Sequence, residues 1–125
     1  MSGLTLDAGA LIALDRQDRR ILVLLARARE TGSTVTVPAT ALAQAVRAPE
    51  RQARIARLVR QPTTDVVVLD RVDATSVGRL LAASGTADIV DAHVVICARR
   101  AGQQVATSDP DDLRRLDPSL PLLVL

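Results

Sequence analysis

Apolar and polar positions along the chain predict strands that alternate with helices. The short apolar segments that predict strands are GLTLD, STVTVP, DVVVLD, QVATSD and LPLLVL. Helical spacing of apolar residues predicts helices in AGALIALDR, RRILVLLARARETG, ATALAQAVR, ERQARIARLVRQ, DATSVGRLLAAS, TADIVDAHVVICARRAG and PDDLRRL. This alternation over residues 1–125 predicts a single α/β domain, a three-layer α/β/α sandwich with a mainly parallel central sheet.

Composition narrows the function. The 125 residues are 48% hydrophobic, enough for a real core, and they include no aromatic residue. A base-stacking platform of the usual single-strand-binding kind is therefore excluded. All 16 basic residues are arginine and the net charge is only +2, so any affinity for nucleic acid must be local.

The single cysteine and the start of the chain indicate a compartment. Cys97 lies in an apolar stretch, where we expect a buried and inert thiol, and it cannot form an internal disulfide. Asp7 and Asp15 fall within the first fifteen residues, and no basic leader precedes them. We therefore expect neither a signal peptide nor a membrane span, and a cytoplasmic protein.

Two carboxylates open the late helix in TADIVDAHVV. Asp88 and Asp91 are three residues apart, so both project from one face of the helix. Asp88 is explained equally well as a helix cap and as a functional residue. Asp91 lies inside the helix, where aspartate has poor propensity and a desolvated carboxylate is costly without a partner. A divalent cation shared with other carboxylates would supply that partner.

Further carboxylates follow two of the predicted strands. Asp7 ends the first strand and Asp109 ends the fourth, and ligands of such sheets bind beyond the carboxyl ends of strands. Asp112 lies three residues after Asp109, and Ser108 immediately before it. We expect Asp7, Asp91 and Asp109 to converge on Mg²⁺ or Mn²⁺, which prefer hard oxygen ligands. Capping and the helix dipole account for Asp111.

Histidine chemistry is not expected. His93 is the only histidine, and because it is two residues from Asp91 it lies on another face of the helix. A histidine-based zinc site or a Ser/His/Asp triad is therefore disfavoured, and we expect His93 to be structural.

Four segments in this order resemble the PIN domain: LTLDAGALIAL, VPATALAQAVR, DIVDAHVVICA and VATSDPDDL. Within that family the chain looks most like the VapC-type toxins of bacterial toxin-antitoxin pairs. The resemblance covers essentially the entire chain. It implies a dimeric Mg²⁺- or Mn²⁺-dependent endoribonuclease, inhibited by a VapB-like antitoxin whose C-terminal segment enters the active-site groove. Asp7, Asp91 and Asp109 match acidic positions of the family, with Asp88 and Asp112 as additional members.

One position departs from the family. The helix after the second strand should supply a glutamate to the metal site, and the best-matching residue is Gln44. An amide oxygen can bind a metal or hold its water, but it adds no charge and cannot act as a base. Glu50 is six residues on and lies past Pro49, so it is not an obvious substitute. Gln44 is explained equally well as a solvated helix residue.

RNA must approach a negative site, which requires a positive rim. Arg47, Arg51 and Arg54 are candidates for that rim, whereas a solvated helix face explains Arg57 and Arg60 better. The predicted mechanism is attack on a scissile phosphate by a metal-activated water. Whether one ion or two take part stays open.

Other classes fit less well. A receiver domain needs a lysine, and none is present; a haloacid dehalogenase-like enzyme needs Asp-x-Asp where the chain has DAGAL; and no nucleotide-binding P-loop occurs. The remaining alternative is a PIN-like protein with weakened catalysis that acts by binding RNA or a partner, which Gln44 favours.

Overall fold

The computed structural model describes residues 3–125, which form one parallel sheet covered by helices. The strands are β1 (Leu4–Leu6), β2 (Val35–Pro38), β3 (Thr64–Val67), β4 (Gln104–Thr107) and β5 (Leu122–Val124). Their order across the sheet is β3-β2-β1-β4-β5, and every neighbouring pair is parallel. The predicted α/β class with a parallel central sheet is confirmed.

Seven α-helices connect these strands within the described residues. They are α1 (Ala8–Asp15), α2 (Arg19–Thr31), α3 (Ala39–Ala45), α4 (Ala53–Val59), α5 (Arg71–Ser84), α6 (Ile89–Ala101) and α7 (Pro110–Leu116). The predicted stop of α6 at Gly102 is confirmed: this residue has a φ of 64°, a left-handed conformation that favours glycine.

The order of the strands creates a crevice at the middle of the sheet. From β1 the chain crosses to β2 on one side, and later returns to β4 on the other side. Ligands of doubly wound sheets bind at such a reversal, beyond the carboxyl ends of the strands. Leu6 and Ala106 are paired in register, so the residues that follow β1 and β4 leave the sheet side by side.

Apolar side chains hold this central part rigid. Leu6 and Leu11 are fully buried, as are Val94, Val105 and Ala106. These residues come from β1, α1, α6 and β4, the elements that lead into the crevice. Close packing of this kind leaves little freedom for the polar residues at the ends of the strands.

The predicted helix over residues 50–61 is wrong in its first turn. Pro49–Arg51 forms a 3₁₀ turn, and α4 begins only at Ala53. The cause is Gln52, which is 7% exposed: its Oε1 accepts hydrogen bonds from the backbone N–H groups of Arg47 and Ala48, both at 3.0 Å. Its Nε2 donates to the carbonyl of Ala45 at 2.9 Å. This side chain satisfies the backbone of the connection, so no continuous helix is needed there.

Besides β1, which ends at Leu6 rather than at Asp7, two predicted strands end earlier than expected. The segment DVVVLD forms a strand only as far as Val67, and Asp70 instead caps α5 by accepting a hydrogen bond from the N–H of Asp73 at 2.8 Å. Likewise β4 ends at Thr107, and Asp109 stands at the start of α7. In both cases the backbone leaves the sheet before the aspartate, which frees the aspartate to begin a helix.

No single helix within residues 3–125 is long and apolar enough to cross a membrane. Among the described helices, only α5 and α6 taken together have the length and composition of a membrane span, and they are bent by 111° at their junction.

Candidate metal centre

Asp7 is held firmly at the end of the central strand. It follows β1 directly and caps α1, because its Oδ1 accepts a hydrogen bond from the N–H of Ala10 at 2.8 Å. Its own N–H donates to the carbonyl of Ala106 at 3.4 Å, which joins it to the end of β4. Burial raises the pKa of Asp7, and hydrogen bonds from Thr107 and the backbone partly offset that rise.

Asp88 and Asp91 stand together at the start of α6, as the spacing predicts. Asp88 is the cap, and its Oδ1 accepts a hydrogen bond from the N–H of Asp91 at 2.9 Å. Asp88 is exposed, whereas Asp91 is partly buried. The capping role of Asp88 is therefore confirmed, and it leaves the second carboxylate oxygen of Asp88 outside that bond.

Asp91 carries the strongest electrostatic signal of the site. Its pKa is raised from 3.8 to about 7, first by burial and then by the negative charges of four other carboxylates. Those four are Asp88, Asp112, Asp7 and Asp109. They are the remaining acidic residues that the sequence assigns to the site, so the fold does bring this set into one region of negative potential.

Asp109 and Asp112 interact directly across the first turn of α7. A hydrogen bond with Asp112 raises the pKa of Asp109, and burial and the charges of Asp112, Asp111 and Asp7 add to it. The Asp109 side chain makes no capping hydrogen bond; instead its N–H donates to the hydroxyl of Thr107 at 2.9 Å.

Asp111 and Asp112 are each approached by an arginine of α7. Asp111 is exposed in the first turn of α7, where an acidic residue suits the helix dipole as predicted, and it lies 3.6 Å from the guanidinium of Arg114. Asp112 is also approached by an arginine, with 3.4 Å between its Oδ1 and Arg115 Nη1. Asp112 is thus the most compromised member of the acidic set, because a cation would have to compete with that ion pair.

Ser108 lies against the start of α1. A Cβ added at Gly9 would lie 2.5 Å from the Ser108 hydroxyl and 3.4 Å from Asp7 Oδ1. Ser108 is exposed, so its hydroxyl could turn away from a small side chain at Gly9.

Thr107 is a site residue that the sequence reasoning missed. Its side chain is fully buried, and it bonds both Asp7 and the N–H of Asp109. It links two acidic residues that come from different strands. Its position two residues before Asp109, at the end of an apolar strand, is the signal that points to it.

The structure gives less information on how Gln44 and the predicted RNA-binding arginines lie relative to the acidic residues. Gln44 is exposed in the last turn of α3. The Arg47 guanidinium folds back onto α3, donating to the carbonyls of Ala43 at 2.9 Å and Val46 at 3.0 Å. Arg51 is exposed in the 3₁₀ turn beside Glu50.

Arg54 does not simply line the rim of the acidic set. Together with Arg57 it lines a groove between α2 and α4. His93 and Cys97 are buried, as expected. Burial raises the pKa of the Cys97 thiol to about 12, so this thiol is inert.

The acidic residues do not form a finished cage. Across residues 3–125, no group of three or more His, Cys, Asp or Glu side chains stands ready to hold a metal ion. Hard oxygen donors are the set that Mg²⁺ and Mn²⁺ prefer, so the donor chemistry of the acidic residues fits such an ion.

Neither a comparison with models of known protein families nor a comparison with curated proteins gives a match for this chain.

Proposed function

We propose that this protein is a Mg²⁺- or Mn²⁺-dependent endoribonuclease of the PIN type, acting as the toxin of a VapBC-like pair in the cytoplasm. The observation that carries the proposal is the meeting of acidic residues at the carboxyl ends of β1 and β4, which are paired up to Leu6 and Ala106, and the charges of four other carboxylates that act on Asp91 there. A strained acidic cluster at the carboxyl ends of parallel strands has a ready purpose when it binds a cation. The order of the PIN-like segments supplies the remaining support.

In this proposal Asp7, Asp91 and Asp109 hold the ion, with Asp88 and Asp112 beside them. A bound ion would lower the pKa of a water molecule and stabilise negative charge on the scissile phosphate. The chain itself supplies placement. Thr107 orients Asp7, and the first turn of α6 presents Asp91 from a partly buried position.

RNA recognition would rest on arginine. The chain contains no Phe, Tyr or Trp, and its only histidine is fully buried, so bases cannot stack on an aromatic ring. Contacts to phosphates remain, and these weaken with salt. We therefore expect RNA binding that depends strongly on ionic strength.

The direct test is RNA cleavage with matched variants. We expect wild type to cut a pool of tRNA and ribosomal RNA with Mg²⁺ or Mn²⁺ and not in EDTA. Asp109→Asn should lower the rate about tenfold, because it removes a charged ligand from the site. Asp111→Asn is the control: it changes a neighbouring exposed aspartate that pairs with Arg114 and reaches Asp109 only through its charge, so it should lower the rate much less than Asp109→Asn does.

Two results would contradict this function. Equal losses in Asp109→Asn and Asp111→Asn would mean that general charge, not a site, governs activity. If wild type cuts no RNA with either metal but still binds RNA, the alternative of a PIN-like binding protein is favoured.

A protein partner is part of the proposal, and the groove between α2 and α4 supports it. The groove has a volume of about 270 Å³, and its apolar lining includes Leu22, Leu25 and Leu58. Arg54 and Arg57 also line it, and neither forms an ion pair with another residue in the part of the chain that the structure describes. An acidic amphipathic segment of an antitoxin, distinct from the C-terminal segment expected in the active-site groove, matches both features.

Reversing the charge of this groove should abolish such binding. We expect Arg54→Glu with Arg57→Glu to weaken binding of a synthetic acidic amphipathic peptide more than about tenfold, measured by fluorescence anisotropy. Arg19→Glu, at the exposed start of α2, is the control and should bind as wild type does. A peptide with lysines in place of its acidic residues should not bind; if it binds equally well, charge does not select the partner. The homodimer expected from the family resemblance is a separate proposal, to be measured by light scattering.

A further inference from the structure

The helix that carries Asp91 has a second, buried polar contact on another face. His93 is fully buried, and its Nδ1 lies 2.7 Å from the hydroxyl oxygen of Thr40 in α3. Its other ring nitrogen, Nε2, is buried beside the backbone of Val68 without a hydrogen bond of normal geometry. The tautomer that fits carries its hydrogen on Nε2 and accepts the Thr40 hydroxyl hydrogen at Nδ1.

Thr40 and His93 join α3 to the helix that carries Asp91. Thr40 lies in the first turn of α3, and Gln44 is one turn further along the same face. His93 follows Asp91 by two residues in α6. One hydrogen bond therefore relates the helix of Gln44 to the helix of Asp91.

The far end of α6 is fixed separately. Asp73 of α5 is 2% exposed, and both of its carboxylate oxygens accept hydrogen bonds from the guanidinium of Arg100. This contact anchors the C-terminal part of α6 against α5. The N-terminal part, which bears Asp88 and Asp91, is held toward α3 by the bond between Thr40 and His93.

The bond between Thr40 and His93 lies close to the first turn of α6. His93 is fully buried and follows Asp91 by two residues, so the direction of this bond bears on how the start of α6 meets α3. A buried hydrogen bond is directional and costly to break, and it adds a fixed orientation to the apolar packing of α6.

We propose that Thr40 and His93 form a positioning pair, which holds the first turn of α6 against α3 so that Asp91 stays among the other carboxylates. This inference rests on the proposed function, because the placement matters only if the carboxylates bind a cation. Neither residue contacts the reacting atoms. Both act through Asp91.

The experiment measures binding of Mn²⁺ alone by calorimetry. Thr40→Val keeps the shape of the side chain and removes the hydroxyl, and we expect it to weaken Mn²⁺ binding about tenfold. Thr40→Ser restores the hydroxyl and should bind within about twofold of wild type. Thr31→Val is the matched control: it removes a hydroxyl that also makes a 2.7 Å side-chain bond, to Ser33, at the opposite end of the sheet.

Variants of His93 provide an independent route. Asparagine can place an oxygen near the position of Nδ1, so His93→Asn should keep most of the affinity for Mn²⁺, whereas His93→Leu should lose it. In the double variant Thr40→Val with His93→Leu, the loss should equal that of one change alone, because both remove the same bond.

The possible failures are distinguishable. If Thr40→Val binds Mn²⁺ as tightly as wild type, or if Thr31→Val loses as much affinity, the positioning pair is wrong while the metal site stands. If neither Thr40→Val nor His93→Leu folds, judged by circular dichroism, the pair serves folding and the inference is overturned. If wild type itself binds no Mn²⁺, the proposed function is wrong and this inference falls with it.

Discussion

Replacing Asp91 by asparagine should stabilise the protein at about pH 8 in EDTA, by about 2 kcal/mol, while removing its response to metal. The pKa of Asp91 is about 7 in the fold and 3.8 in its ordinary state, so the folded protein binds this proton more tightly than the unfolded chain does. The stability from that proton is fully present below about pH 4 and is lost as the pH rises through about 7. Asparagine resembles the protonated, uncharged form of Asp91, so the variant keeps this stability at the higher pH.

The size of the effect follows from the shift. Each pKa unit corresponds to about 1.4 kcal/mol, so a rise from 3.8 to about 7 sets an upper limit near 4 kcal/mol. Water reaches the partly buried side chain, and screening reduces the expected gain to about half of that limit. Urea unfolding in EDTA at about pH 5 and about pH 8 measures it, with the larger difference between wild type and variant at the higher pH.

Bound metal should reverse the order of stability of wild type and Asp91→Asn. Mn²⁺ offsets the repulsion in wild type and stabilises it, whereas Asp91→Asn has lost a charged ligand and should be stabilised little. We expect the variant to cut RNA at least about a hundredfold more slowly. Asp65→Asn, an exposed change on β3, is the control and should alter neither property. A variant that is less stable than wild type in EDTA would show that Asp91 is a structural residue.

The parts of the site that lie on regular elements were predictable from the sequence. An aspartate that follows a buried strand and precedes an apolar helix is both a strand end and a helix cap, which is where Asp7 stands. The three-residue spacing of Asp88 and Asp91 likewise determines a shared face and the capping bond between them. These are local rules, and the structure agrees with them.

Contacts between distant segments were not predictable in the same way. Gln52 reads as one more polar position in a helix, yet its amide satisfies the backbone before α4 and shortens that helix. Thr107 reads as a strand residue, but its hydroxyl joins Asp7 to the backbone of Asp109. In each case the deciding partner is a backbone or side-chain group whose position depends on how the chain packs.

Replacing Gln44 by glutamate should strengthen Mn²⁺ binding by about tenfold to a hundredfold and speed RNA cleavage. Gln44 carries no charge, and the PIN domain, which the chain resembles in sequence, has a glutamate at the best-matching position. Gln44 is exposed in the last turn of α3, so a charge there costs little desolvation. Calorimetry with Mn²⁺ and the RNA cleavage assay provide the two measurements.

The same change should destabilise the protein in EDTA, because one more carboxylate joins a set that already repels Asp91. Tighter Mn²⁺ binding together with lower stability in EDTA is the result expected of a metal ligand. A glutamate that is merely solvated would change neither quantity. Gln17→Glu is the control for net charge. Gln17 is exposed and lies just beyond the C-terminal end of α1, so this change should leave the Mn²⁺ affinity at the wild-type value. If Gln44→Glu also leaves the Mn²⁺ affinity at the wild-type value, Gln44 lies outside the site. Its difference from the glutamate of the PIN domain then has no bearing on catalysis. If wild type is silent on RNA and Gln44→Glu cuts it, the scaffold is that of a nuclease whose activity the glutamine has switched off.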